Sequence, residues 1–334
     1  MTHTNRLKRQ GETLIPAIAY GDAAGLPVET RSAEYIAEHY GRIRKLIPTA
    51  ENPYFTGKHE PGFWSDDTQL SIAVAQGLIE ADGFNMDAQI ASHLAAYDET
   101  PNIINSRGVE TKRGWGGSTV GAMEKLKLGI DSSESGMLDG AGNGVLMKMA
   151  PLAFWQYARG TSDDERYDQY DQLTTMTHDS DIARLATRIH GDVLNALLSG
   201  TYDKRELLTM LDESISLHEF ETGLPGAMRD LLAYLHGDVD AQNILNHTDG
   251  KGFYAPQTLA MAYGAFVMHG GKFVPSVYEA VNLGGDTDST GSIVAAMSNF
   301  ATKEALRMKV DHQNLDRLQM LKKVSGELAQ KALH

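Results

Sequence analysis

The chain of 334 residues contains no cysteine. Disulfides, thiolate zinc sites, iron–sulfur clusters and a cysteine nucleophile are therefore excluded. It also lacks any uncharged apolar run near the ~20 residues that a membrane helix needs. Leu14–Tyr20 follows Arg6, Lys8 and Arg9 in the order of a secretory signal, but Pro16 interrupts the run and Asp22 follows it closely. No small-residue cleavage site follows a long enough apolar region. Basic residues are in deficit: Lys+Arg 30 against Asp+Glu 44 gives a net charge of −14, which argues against a general nucleic-acid binder. Fixed-period repeats and low-complexity tracts are absent as well. The expectation is a cytoplasmic protein with no membrane partner and no favoured nucleic-acid substrate.

What is present is a globular composition, 42% hydrophobic and 22% charged, in a chain long enough for a sizeable core. Apolar residues recur at helical spacing. Leu70, Val74, Leu78 and Ile79 share a face, as do Ile182, Leu185, Ile189, Val193 and Leu197. Further faces run through Leu207–Leu211, Leu259–Val267 and Ile293–Phe300, and then through Leu306, Leu315, Leu318, Leu321, Val324 and Leu328. Only Arg42–Ile47 tempts as an extended piece. Gly129–Gly144, Gly160–Arg166 and Gly237–Gly252 read as short linkers, too short to tether independent domains. The expected fold is all-α, one compact domain over residues 1–334, with a core of about 12–302 and a C-terminal helical stretch 303–334.

Two acidic clusters each precede a helical face: Trp64-Ser65-Asp66-Asp67-Thr68-Gln69, and Gly284-Gly285-Asp286-Thr287-Asp288-Ser289-Thr290-Gly291. Such residues suit helix capping, where one side-chain oxygen accepts a free N–H. Capping does not require two carboxylates flanked by hydroxyls, and gathered carboxylates repel unless cations neutralise them. If the clusters face each other, their four aspartates with Ser65 and Ser289 form an oxygen cage whose charge two divalent ions would balance. All-oxygen donors favour Mg²⁺ or Mn²⁺ over zinc. On an ideal helix Asp286 and Asp288 would stand about 200° apart, so both can ligate only from a turn or a frayed helix start. The paired Gly284 and Gly285 suit that turn.

The ordered set resembles the ADP-ribosylglycohydrolase family, which includes the nitrogenase-reactivating hydrolase and the ADP-ribosylarginine hydrolases. Four motifs carry the resemblance: Gly21-Asp22-Ala23-Ala24-Gly25 with Glu29, Ser65-Asp66-Asp67-Thr68, Asn143-Gly144-Val145-Leu146-Met147, and Gly284-Gly285-Asp286-Thr287-Asp288-Ser289. The resemblance implies a multi-helix fold with a binuclear Mg²⁺ centre, Mn²⁺ as substitute, at the base of an ADP-ribose cleft. It places metal ligands at Ser65, Asp66, Asp67, Asp286, Asp288 and Ser289, and catalysis at Glu29, on a mobile segment, together with Asp66, Asp67 and Asp286.

The other site residues divide between a plain and a functional role. Asn143 and Gly144 form either a Gly-rich cap or a diphosphate cradle at a helix start. Gly114-Trp115-Gly116-Gly117-Ser118-Thr119 resembles a cleft-lining loop, with Gly116 and Gly117 as substrate contacts, whereas Trp115 equally suits packing. A neutral His178 would hydrogen-bond phosphate or ribose, and Tyr254 would stack on adenine or simply pack. Members commonly carry Met-Arg where this chain has Met147-Lys148, and lysine cannot supply a two-pronged contact. The nitrogenase-reactivating type carries an acid at the Gly114 position.

The implied activity is hydrolysis of an ADP-ribosyl bond, most directly that to an arginine side chain, in opposition to an ADP-ribosyltransferase. A family member without turnover, which binds ADP-ribose or serves structurally, and a metal-dependent phosphohydrolase are the alternatives. Serine, a polymer end, O-acetyl-ADP-ribose and a nucleobase present the same ribose as arginine does.

Overall fold

The computed structural model describes residues 2–49, 59–104, 110–200, 202–218, 223–301 and 312–334. Among the described residues sixteen α-helices follow one another. The first eight are α1 (His3–Gly25), α2 (Ala33–Tyr40), α3 (Asp66–Ala81), α4 (Met86–Glu99), α5 (Gly117–Lys127), α6 (Ser132–Ser135), α7 (Ala150–Arg159) and α8 (Asp163–Thr175). The rest are α9 (Asp181–Ser199), α10 (Lys204–Leu217), α11 (Leu224–Leu232), α12 (Ala241–His247), α13 (Ala255–Met268), α14 (Phe273–Asn282), α15 (Thr287–Ala301) and α16 (Leu318–Ala332). Many start as local chemistry dictates. Ser32, Asn85, Ser162, Ser180 and Asp240 sit at N-caps in extended geometry, and each side chain accepts a first-turn N–H, which satisfies a donor the helix itself cannot.

Two helices form the axle. α15 is buried along its whole length, and α1 is buried from Leu14 to Gly25. They touch backbone to backbone: a Cβ added at Gly21 would lie 2.2 Å from the Gly291 carbonyl oxygen. Small residues at that crossing allow the close approach. Around the axle pack α3, α7, α14 and α16 on the α1 side, and α9, α13 and α14 on the α15 side. A Pro16 inside the apolar run does not end α1, which continues to Gly25. One residue earlier, Ser325 on α16 accepts the Ile15 N–H at 3.1 Å and donates to the Gly11 carbonyl at 2.6 Å.

The helical faces expected from periodicity lie on α3, α9, α10, α13, α15 and α16, except that Leu315 sits in the bend before α16 and Leu306 falls outside the described residues. Arg42–Ile47 is not a strand. Ile43 and Leu46 are buried in an irregular segment held by Asn282, whose amide exchanges hydrogen bonds with both backbone groups of Ile43. Strand pairing occurs instead in two small sheets. Asn102–Ile104 (β1) pairs antiparallel with Glu110–Lys112 (β2), and Met137–Leu138 (β3) pairs parallel with His178–Asp179 (β4). The supposed linkers hold short elements too: α6 and β3, the start of α8, and α12. No described helix is long and apolar enough to cross a membrane.

Candidate active site

Three chain segments deliver the acidic side chains to one place. The first leaves α1 through a 3₁₀ turn, Leu26–Val28, opened by Gly25 and containing Pro27, and ends at half-buried Glu29. The Glu29 segment is tied down immediately afterwards. Thr30 donates its N–H to the Gly285 carbonyl at 2.7 Å, and Gly285 donates to the Arg31 carbonyl at 2.7 Å. Thr30 is held at φ 67°, a strained conformation for a β-branched residue.

The second segment is the start of α3. Ser65 is its N-cap, with Asp66 and Asp67 in the first turn, where the helix dipole favours negative charge. The third is the start of α15. Gly284 and Gly285 both adopt φ 77°, and a Cβ on Gly285 would lie 2.3 Å from the Lys251 carbonyl oxygen. The turn leaves Asp286 ahead of the helix and Asp288 in its first turn, the arrangement that lets both carboxylates face one point.

The two acidic clusters meet. Asp67 accepts from Ser292 Oγ at 2.9 Å and from Ser289 Oγ at 3.5 Å, across the gap between α3 and α15. On its own side it accepts from Ser65 Oγ at 3.2 Å. Carboxylate oxygens of Glu29, Asp286 and Asp288 lie within 4.8 Å of one another, a grouping to which Asp66 and Asp67 do not belong. Asn143 fastens the far edge, donating from Nδ2 to Asp286 at 2.8 Å and to the Gly252 carbonyl at 3.0 Å.

Burial and crowding make this set hostile to its own charge. Desolvation is the largest cause pushing Asp66, Asp67 and Asp288 well above the usual carboxylate range. Neighbouring carboxylates add to it, Asp67 acting on Asp66, Asp22 on Asp67 and Glu29 on Asp288. Asp286 rises for the same first reason, moderated by its hydrogen bonds from Asp288, Asn143 and Ser289. Carboxylates held together in this way are what a hard cation relieves.

A cavity of about 260 Å³ opens onto Glu29, Asp66, Asp67, Asp286, Asp288 and Ser289. Ser65 instead lines a neighbouring cavity, also about 260 Å³, that shares Asp66. One wall is the start of α5, with Gly116 at its N-cap and Gly117 as its first residue. A Cβ at either glycine would meet no protein atom within 4 Å, so a helix N-terminus faces open space, the arrangement that binds phosphate. Asn143, Gly144 and His178 line the cavity as well, and a Cβ at Gly144 would lie 3.5 Å from Thr119 Oγ1 on α5. His178 is buried; its Nδ1 pairs with Thr177 Oγ1 at 2.9 Å, and burial, then the Lys148 charge, pulls it down to about 3. Its ring is neutral at ordinary pH.

Phe253, exposed at the mouth, lines this cavity, whereas Tyr254, the expected stacking residue, does not; it caps α13 and pairs with Gly142. Trp115 belongs to the packing, with its indole N–H on Gln69 Oε1 at 3.0 Å and its ring edge-on to Tyr97. Lys148 turns away into the interior beside His93. A larger cavity of about 650 Å³ opens between α8, α9 and α10, but no such acidic cluster converges there among the described residues.

Sequence reading gave Asp22, which stands in the first of the four motifs, no role of its own, and none to Ser292 or Phe253. Asp22 had a signal: it is the one charged residue between Leu14 and Leu26. A lone carboxylate in an apolar helix has buried partners. Ser292 stands three residues after Ser289, hence on the same helix face.

This helical architecture with facing acidic turns defines a family: the ADP-ribosylglycohydrolase model matches residues 14–299, and the chain belongs to that family of hydrolases. Among its relatives are an uncharacterized protein of Archaeoglobus fulgidus, 26% identical over 85% of this chain and 84% of that protein, and the uncharacterized YegU of Escherichia coli, 24% identical over 89% and 90%. The ADP-ribosylarginine hydrolase Tri1 of Serratia proteamaculans is 25% identical over 85% of this chain and 70% of its own length. The solved structure of an ADP-ribosylglycohydrolase-related protein complex shares the fold, with TM-score 0.74 and 24% identity over 98% and 99% of the two chains.

Proposed function

We propose that the chain is a Mg²⁺-dependent hydrolase that releases ADP-ribose from a modified protein, with ADP-ribosylarginine as the substrate class. The observation that carries the reading is the meeting of the α3 and α15 starts through Asp67, Ser289 and Ser292, with Asp67 and Ser289 lining a cavity. The donor chemistry suits the group: Asp66, Asp67, Asp286, Asp288 and Ser289 line one cavity and Ser65 its neighbour, and these six oxygen-bearing residues would hold two Mg²⁺ or Mn²⁺ ions. Bound there, the ions would neutralise the cage, engage ribose hydroxyls and polarise water. The arginine assignment rests on the name of the Serratia relative and fits an enzyme that opposes an ADP-ribosyltransferase in the cytoplasm.

The chain's own groups divide the remaining work. The α5 N-terminus at Gly116 and Gly117 and the turn at Asn143 and Gly144 would receive the diphosphate through backbone N–H groups. Neutral His178 would donate or accept one hydrogen bond beside them. Glu29 would carry the proton transfer: hydrolysis breaks the bond from the anomeric carbon to the guanidine nitrogen, joins the water oxygen to that carbon and sends one water proton to the nitrogen. Phe253 offers an aromatic face for the adenine.

The test is free ADP-ribose released from an ADP-ribosylarginine protein, with Mg²⁺ and with EDTA. Product is expected only with the metal, and Asp67→Asn or Asp286→Asn should lower its rate by about a hundredfold or more. An Asp286→Ala enzyme as active as its parent would sink the reading. AMP or phosphate in place of ADP-ribose would make the chain a phosphohydrolase, and binding of ADP-ribose without turnover would make it a retired member of its family.

A further inference from the structure

Asp22 lies on α1, fully buried, and lines neither cavity at the site. Both of its oxygens accept the Ser65 N–H at 2.9 Å. Oδ2 also accepts the Thr68 N–H at 3.1 Å and the Thr68 hydroxyl at 2.6 Å. These are the orphan donors of the α3 start, which a helix ordinarily satisfies with its own N-cap side chain. Here Ser65 makes that bond only weakly, at 3.3 Å to Asp67 N–H, and a carboxylate from another helix does most of the capping. Charge-assisted bonds of this kind are the strong ones.

The same turn of α1 grips the other acidic segment. Gly25, one turn after Gly21, accepts the Thr287 hydroxyl at 2.8 Å, and a Cβ there would lie 2.0 Å from the Thr287 carbonyl oxygen. Gly21 and Gly291 touch one turn further along. Asp22 therefore sits between two backbone contacts to α15 while holding α3 by its first turn. Yet its charge repels Asp66 and Asp67, which an isolated structural cap would have no reason to tolerate.

We infer that Asp22 is a positioning residue: through α1 it sets the α3 acidic turn at the separation from the α15 turn that divalent cations require. The inference rests on the metal-dependent reading of the site, and its test separates the two. Mn²⁺ is titrated calorimetrically into the metal-free chain and into Asp22→Ala, Asp22→Asn and Thr68→Val, with each metal-free melting midpoint recorded. The parent should bind Mn²⁺; if it binds none, the site reading itself fails. Asp22→Ala should lose affinity by about tenfold or more, and Asp22→Asn, which keeps an acceptor for Thr68, should retain most of it. Thr68→Val, which removes one of the bonds and keeps the side-chain shape, should fall between, with its metal-free midpoint shifted little. Parent-like Mn²⁺ affinity in Asp22→Ala overturns the inference. If that variant does not fold, parent-like affinity in Thr68→Val does so.

Discussion

A primary amine cut off from water titrates unlike one on the surface. Lys148 has no exposed surface and rests its Nζ 3.4 Å from His93 Nε2, while His93 Nδ1 bonds the Gln89 carbonyl at 2.7 Å. Burial pulls Lys148 down from 10.5 to about 7. Below about pH 7 native and unfolded chains both carry the proton, and the whole cost of burying charge falls on the native state. Between there and 10.5 the unfolded chain binds a proton that the native chain does not, so stability rises with pH. Replacing Lys148 with Met, of similar length and apolar, should raise stability at about pH 6 by roughly 2–4 kcal/mol, less the bond lost by His93. The gain should shrink steadily through about pH 9. Urea midpoints of both proteins in EDTA at the two pH values check this; a pH-independent difference would contradict it. Lysine at this position was legible in the sequence as a departure from Met-Arg, but its isolation was not. Only the fold reveals that it is fully buried beside His93 of α4.

At the scale of elements, the crossing of α16 over α1 shows how a side chain can support a difficult helix. Pro16 brings no N–H to α1, and Ser325 stands beside it, bonded to Ile15 and Gly11. Ser325→Ala would leave those buried backbone groups without the hydroxyl, at a cost of about 1–3 kcal/mol. Thermal unfolding should show it, with a lower midpoint and an unchanged fold by circular dichroism. This prediction also bears on what the sequence could tell. The six long helical faces were legible because each helix has an apolar stripe at its own period. Ser325 carried no such mark, since its partner lies more than three hundred residues away. The strands β1–β4 are two or three residues long, too short for an alternation to declare itself. Arg42–Ile47 tempted as an extended piece, yet Ile43 found an asparagine amide rather than a neighbouring strand. The acidic turns were legible for the opposite reason: Ser65–Asp67 and Gly284–Ser289 put more carboxylate and glycine in one place than capping explains. Their meeting was a physical wager on repulsion, while Asp22 and Ser292 left fainter signals, a lone charge in an apolar run and a spacing of three from Ser289.

For the molecule as a whole, the site sets stability against function. A chain of net charge −14 gathers Asp66, Asp67, Asp286 and Asp288 in its interior, and each is pushed up by burial. Without a cation that gathering opposes folding; with cations bound it would become an attraction made only by the native state. Binding to the native state alone stabilises by RT ln(1 + [L]/Kd), about 2.7 kcal/mol per site at a hundredfold excess over Kd. Mg²⁺ or Mn²⁺ at about 5 mM should therefore raise the melting midpoint of the parent by several degrees over EDTA. NaCl should not replace it, because salt screens buried charges far less than exposed ones. The variant Asp288→Asn gives the sharper reading. Metal-free, it should melt above the metal-free parent, since one buried repulsion is gone. With Mg²⁺ the order should reverse, because the variant has lost part of what the cations grip. Scanning calorimetry of both proteins, each with and without Mg²⁺, supplies the four midpoints. A crossing of the two proteins on addition of metal is the signature of a cage built for cations. Parallel shifts, or a metal-free Asp288→Asn no more stable than the parent, would mean that these carboxylates hold the helices together by their hydrogen bonds and not in readiness for an ion.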